Sequence, residues 1–273
     1  MELYLNNELF FLNEMKTFSF NETKYINSHI DYEYYKNTGE KYQKCFLDKN
    51  NYLSTNKQST AESVGESLDD GEHNIKIIVK DSYSNTSTLS FKFQLKKKNN
   101  SAGLIDSKQM INSKQVFEFK NADCEIYIPE MSLYKDHIFT YEKQINPLMT
   151  YPIYQILDNS IPSHKGFIIS IKIDSLDKNL RQKAMLAIID SGELSYIKSK
   201  WTGNKIIGKA NQFGDFTIII DTIKPIIESD NRIKNNAIEF KISDELSGIE
   251  KYRGEINGEW ILMEYDFKTN TLK

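Results

Sequence analysis

The chain has 273 residues, of which 39% are hydrophobic and 27% charged, with 16 Tyr and 15 Phe. That much apolar and aromatic material excludes global disorder. At roughly 100–200 residues per domain, the length leaves room for two or three units. The 35 basic and 38 acidic residues give a net charge of −3, which supplies no electrostatic reason to bind nucleic acid.

A membrane-spanning helix needs a run of about 18 apolar residues, and none occurs. The first residues, Met1-Glu2-Leu3-Tyr4-Leu5-Asn6-Asn7-Glu8, lack a basic region followed by a long apolar core, so they do not read as a signal peptide.

Taken in chain order, alternation is the leading signal. Leu3, Leu5, Leu9 and Phe11 flank Asn6-Asn7 and predict a hairpin. Ile75-Lys76-Ile77-Ile78-Val79-Lys80 and Leu89-Ser90-Phe91-Lys92-Phe93-Gln94-Leu95 predict a second hairpin, closed by the polar turn Asp81-Ser82-Tyr83-Ser84-Asn85. The stretch 96–103, Lys-Lys-Lys-Asn-Asn-Ser-Ala-Gly, is short of strand formers and reads as a linker. Strands are then expected at Val116-Phe117-Glu118-Phe119, at Glu125-Ile126-Tyr127-Ile128, over 167–173, over 184–189 and over 213–221. Thr222-Ile223-Lys224-Pro225 marks a stiffer joint, because proline cannot donate to a sheet ladder. Beyond it lie an expected strand over 237–242, an Asn257-Gly258 type I′ hairpin and a strand over 261–267. Long amphipathic helices are not expected, and residues 176–183 are at most a helical turn. Asp81 and Asp244 both follow a strand and open a short polar turn, a weak echo between the first and last blocks.

The reading is therefore all-β: tandem immunoglobulin-like sandwich modules over 1–98 and 113–222, and a partial one over 223–273. About 50 residues is near the lower limit for a domain folding alone, and an immunoglobulin-like sandwich usually has about 100.

The chemistry is sparse. His29, His73, His137 and His164 have no metal-ligand spacing, and Cys45 and Cys124 have no nearby partner of the Cys-x2-Cys kind. The two cysteines read as free buried thiols ahead of a single disulfide. Nucleophile elbows and phosphate loops do not occur, and Asp69-Asp70 reads as part of a turn rather than a catalytic carboxylate pair. The site expectation is accordingly no catalytic, no cofactor-binding and no metal residue in this chain.

Two softer options remain. Asp81, Asn85, Asp221, Asp244 and Asp266 are placed either to cap turns or to supply oxygen ligands to calcium. Tyr32, Tyr34, Tyr35, Tyr42, Trp201 and Trp260 belong either to sheet packing or to a glycan-stacking surface, with Tyr32 and Tyr34 on one face of an expected strand.

Three groups of residues carry a family likeness. They are Phe18-Ser19-Phe20-Asn21-Glu22-Thr23-Lys24-Tyr25-Ile26-Asn27 with Ile30-Asp31-Tyr32; Lys209-Ala210-Asn211-Gln212-Phe213-Gly214-Asp215-Phe216-Thr217 running into Asp221-Thr222-Ile223-Lys224-Pro225; and Lys241-Ile242-Ser243-Asp244-Glu245-Leu246-Ser247-Gly248-Ile249 with Tyr252-Arg253-Gly254 and Asn257-Gly258-Glu259-Trp260. In this order they resemble the region after the catalytic domain of bacterial peptidoglycan metallopeptidases of the LytM/lysostaphin type.

The family's zinc is held by His, Asp and a His-x-His pair, and no such set occurs here. The resemblance implies zinc only for a separate catalytic domain. What it carries over is an accessory role in the cell envelope, spacing, targeting or docking, with peptidoglycan or the peptidase domain as partner. The rival expectation is an independent adhesin or glycan-binding protein.

Overall fold

The structure, a computed structural model, describes residues 1–17, 19–61, 63–65, 67–97, 110–174, 176–234 and 237–273. About 46% of it is strand and 8% helix, and the sheets are antiparallel, as the alternating pattern predicts.

The first unit is a five-stranded sheet. Its strands are β1 (Glu2–Leu5), β2 (Glu8–Asn13), β3 (Asn56–Ser59), β4 (Gly71–Lys80) and β5 (Thr86–Leu95), in the order β3-β2-β1-β4-β5. Asn6 and Asn7 have φ of 49° and 71°, the left-handed pair that a type I′ turn requires. Asp81 closes the β4–β5 turn by accepting from the backbone of Tyr83 at 2.9 Å and of Asn85 at 2.8 Å.

Alternation puts Leu3, Leu5, Ile75, Ile77, Phe93 and Leu95 on the apolar face, where Phe10, Phe11 and Leu68 complete the core. That face is backed by Cys45, Phe46, Leu47, Ala61 and Val64 from the connections. The long β2–β3 connection is helical in part. It holds a 3-10 turn, Phe20–Tyr25, then α1 (Ile26–His29) and α2 (Tyr32–Thr38).

The second unit is a sandwich of two five-stranded sheets. Its strands are β6 (Met110–Ile111), β7 (Phe117–Lys120), β8 (Cys124–Ile128), β9 (His137–Ile138), β10 (Tyr141–Gln144), β11 (Ile153–Ile156) and β12 (Phe167–Lys172). After α3 (Lys178–Arg181) come β13 (Ala184–Asp190), β14 (Glu193–Ile197), β15 (Ser199–Thr202), β16 (Lys205–Ala210) and β17 (Gly214–Ile220). One sheet runs β10-β11-β17-β13-β14, the other β15-β16-β12-β8-β7, and β6 pairs with β9.

The runs expected at 167–173, 184–189 and 213–221 are the central strands β12, β13 and β17. Their near-continuous apolar sequence reflects burial between the layers. Phe167 stacks on Phe213 at 4.6 Å and meets Phe216 edge-on at 6.0 Å, all three fully buried. Where β16 passes under the opposite sheet, a Cβ on Gly208 would lie 2.9 Å from Leu186 Cδ1 and 3.0 Å from Ile197 Cγ2.

The third unit is a four-stranded sheet and a hairpin. Its strands are β18 (Ile226–Lys234), β19 (Ala237–Ser243), β20 (Gly254–Ile256), β21 (Glu259–Ile261), β22 (Tyr265–Asp266) and β23 (Thr271–Leu272). The sheet order is β18-β19-β23-β22, and β20 pairs with β21 across Asn257 and Gly258 at φ 51° and 86°.

The single strand expected over 261–267 is divided. Its start belongs to the β20–β21 hairpin, and its end pairs with β23. Met263 packs directly over Gly254, and a side chain there would have to displace it. Asp266 then turns the chain back by accepting from Lys268 N and Thr269 Oγ1, both at 2.9 Å. Two hairpins therefore share one apolar stretch.

The expected joint over 221–225 has no regular secondary structure and is largely exposed, and Asp221 accepts from Ile223 N at 3.1 Å. Of the expected linker, Lys96 and Lys97 are exposed, and residues 98–103 lie outside the described residues.

Two measurements check this packing. Gly208→Val should lower stability by about 2 kcal/mol through overpacking, seen as a lower midpoint in urea denaturation at unchanged slope. Among the described residues, Ile242, Thr271 and Leu272 are buried in the third unit, against the large cluster inside the sandwich. Amides of β18 to β23 should therefore exchange with deuterium well before those of β12, β13 and β17.

Candidate functional site

The chemically richest part of the molecule is the seam where the β2–β3 connection meets the sandwich. Local sequence builds the connection. The Glu22 carboxylate accepts from Ser19 N at 3.2 Å, one half of a capping box. Asp31 caps α2 by accepting from Tyr34 N at 3.0 Å, and Gly39 ends it at φ 77° with its N–H on Tyr35 O.

These caps overturn the strand reading of Tyr32 and Tyr34. On a helix, Tyr32 shares a face with Tyr35, and their rings lie 6.1 Å apart, while Tyr34 packs edge-on against Tyr42 at 4.8 Å.

The connection is fastened to the sandwich by hydrogen bonds that cross the seam. Asn50, fully buried, donates its side chain to Leu133 O at 2.9 Å and its backbone to Tyr134 O at 3.1 Å. Tyr134, 2% exposed, returns its hydroxyl to Lys24 O. Its ring meets Tyr25 at 6.3 Å and His164 at 5.0 Å. Further out, Lys36 makes an ion pair with Asp190 at 2.7 Å. On the connection itself, Asp48 is 6% exposed and accepts from Ser28 at 2.5 Å and Lys44 at 3.0 Å.

A cleft of about 230 Å³ opens in the seam. Tyr32, Phe46 and Asp48 line one side, Tyr134, His137 and Pro162 the other. A second cleft, of about 330 Å³, lies along α2 between Tyr32, Tyr35, Lys36 and Gly39, so Tyr32 borders both. A wider hollow on the outer face of the sandwich is bordered by Glu125, already paired to Lys120 at 2.8 Å and Lys205 at 2.7 Å.

Three of the four histidines belong to the seam. His29 is 3% exposed, and neither ring nitrogen has a hydrogen-bond partner. Burial, aided by nearby Lys44, keeps its imidazole below the usual range. Burial also pushes His137 and His164 down to about 4, with Lys135 acting on the first and Lys24 and Lys165 on the second. The fourth, His73, is on the first sheet, with its ring nitrogens 3.0 Å from Asn6 Nδ2 and 2.7 Å from Asp69 O.

The other sequence candidates are dispersed. Asp81, Asp221, Asp244 and Asp266 each accept from backbone amides of the turn that follows, as cappers do. Asn85 is held within the Asp81 turn. Trp201 packs on the sandwich core beneath the Arg181 guanidinium at 5.3 Å, and Trp260 is exposed on the β20–β21 hairpin. Asp70 accepts from Lys97 N at 2.8 Å. Cys45 and Cys124 are both free thiols. Among the described residues, no three His, Cys, Asp or Glu side chains converge as a metal-ligand set.

The fold and seam define a class: an all-β protein of several units, one of them a complete two-sheet sandwich. Within that class, residues 108–221, less than half of the chain, match the family model of the Zu5-like domain. The similarity covers the segment that contains β6 to β17. A search of the curated proteins finds no match.

The seam should be pH-sensitive. A histidine held neutral by burial binds fewer protons folded than unfolded, so its stabilising contribution is complete above about pH 6.5 and is lost as pH falls toward about 4. The midpoint of urea denaturation should therefore fall between about pH 7 and 4.5, above the range where most carboxylates protonate. His164→Gln should flatten that slope.

Proposed function

We propose that this chain is a non-catalytic accessory region of a cell-wall peptidoglycan metallopeptidase, one that spaces and docks a separate zinc domain in the cell envelope. One observation carries the reading: each segment that resembles that family contributes at least one residue to a contact between units.

Lys24, Tyr25 and Tyr32 belong to the seam between the first sheet and the sandwich. Asp221, in the second segment, accepts from Ser247 N at 3.2 Å, in the third segment, across the joint to the last unit. A region that presents an attached enzyme to a wall needs a defined orientation between units more than it needs a reactive group. Contacts of this kind at the joints fit that requirement.

The test uses the purified chain, isolated peptidoglycan and a separately produced LytM-type zinc domain. The chain alone, supplied with zinc, should release no soluble fragments, and it should sediment with the peptidoglycan or bind the zinc domain in solution. Chelator-sensitive hydrolysis by the chain alone, or binding to neither partner, would overturn the reading.

A second reading, an independent glycan-binding envelope protein, is favoured by the two clefts that share Tyr32. Aromatic rings beside carboxylates and amines suit a sugar's apolar face and hydroxyl rim. It predicts calorimetric binding of soluble glycans without any zinc domain, abolished by Tyr32→Ala.

A further inference from the structure

The first sheet ends on one side in β3, four residues long, and on the other in β5, ten residues long. Among the described residues, β5 has β4 as its one hydrogen-bonded neighbour. The β4–β5 register runs unbroken through ten residue pairs, from Gly71 with Leu95 to Lys80 with Thr86. Every second residue of β5 therefore presents its N–H and C=O outward, along an edge without a bulge.

Sheets guard such edges with short strands, proline, bulges and repeated charge. β5 has no proline, no bulge and one charged residue, Lys92. The outer strands of the sandwich, β7, β10, β14 and β15, are four or five residues long. β18, at nine residues, is interrupted by an irregularity between Ser229 and Ile233.

The apolar face is open at the same place. The connections cover it near β1 and β2 but leave Leu89 58%, Val79 49% and Phe91 45% exposed. These residues lie side by side, because Leu89 pairs with Ile77 and Phe91 with Ile75 across the register. The opposite face of β5 carries Ser90 and Lys92, the latter in an ion pair with Glu72 at 2.7 Å.

We propose that β5 pairs antiparallel with β5 of a second copy of this chain, about a two-fold axis at Phe91, joining two five-stranded sheets into one. The sequence of the edge is self-complementary about that residue. Phe91 then faces Phe91 of the other copy, Leu89 faces Phe93, and Thr88 faces Gln94. Lys92 faces Ser90 rather than another Lys92, so the one charge on the strand meets no like charge directly opposite. Aromatic and aliphatic cross-strand pairs are the stabilising kind, and an isologous contact of this type closes on itself as a dimer. The pairing is independent of the accessory role proposed above.

Sedimentation velocity on the full chain tests it. The wild-type chain should form a dimer at concentrations up to about 100 µM. Phe91→Glu puts two carboxylates face to face on the axis and should weaken the dimer at least about tenfold. Phe91→Lys should do the same, and mixing the two variants should restore a dimer by pairing opposite charges. Leu89→Glu, at a more exposed position, serves if a Phe91 variant fails to show the wild-type far-ultraviolet spectrum. A wild-type chain that stays monomeric, or a dimer unaffected by Phe91→Glu and Leu89→Glu, would overturn the proposal.

Discussion

The reciprocal fastening of Asn50 and Tyr134 is the constraint on which the arrangement of units rests. Each residue is buried, and each satisfies a backbone carbonyl of the other unit. A buried carbonyl without a donor costs about 1–3 kcal/mol, so separating the units leaves polar groups on both sides to be resolvated together. That coupling holds a connection with little regular structure in one place. It also fixes Tyr32 and Phe46 opposite the sandwich loops, which is what creates the seam cleft. Around it the electrostatics favour neutrality: Asp48 is answered by Lys44 and Asp190 by Lys36, while the histidines are held uncharged.

What could be read from sequence was what is local. The turns at Asn6-Asn7, 81–85 and Asn257-Gly258 follow from residues that tolerate positive φ or bond their own backbone. The interior strands β12, β13 and β17 follow from apolar runs too short for helices. Strands such as β10 and β15 were less visible. Tyr141-Glu142-Lys143-Gln144 and Ser199-Lys200-Trp201-Thr202 lie at sheet edges, half open to solvent, and carry polar residues with little alternation. Their pairing is decided by distant partners, β11 and β16.

The candidate site was mostly illegible for the same reason. Its histidines are 27 to 135 positions apart in the chain, as subtracting their numbers shows, and it is the packing of loops that gathers them. One part was legible and was misread. Ser19-x-x-Glu22 and the pair Asp31 and Gly39 are helix punctuation, whereas the spacing of Tyr32 and Tyr34 imitates a strand face. Where caps and alternation disagree over so short a stretch, the caps carry the better information, because they satisfy backbone groups that nothing else nearby reaches.

The interior position of Cys124 bears on how the protein tolerates oxidants. It is 1% exposed, and burial between the sandwich sheets, helped by Asp123 and Glu125, pushes its thiol up to about 12. At neutral pH the thiol form prevails, and the thiolate is the form that attacks disulfides and peroxides. Cys45 is half-buried, and burial alone moves its thiol in the same direction. Oxidised glutathione or peroxide therefore meets two sulfurs whose reactive thiolate form is disfavoured by the same burial that builds the core.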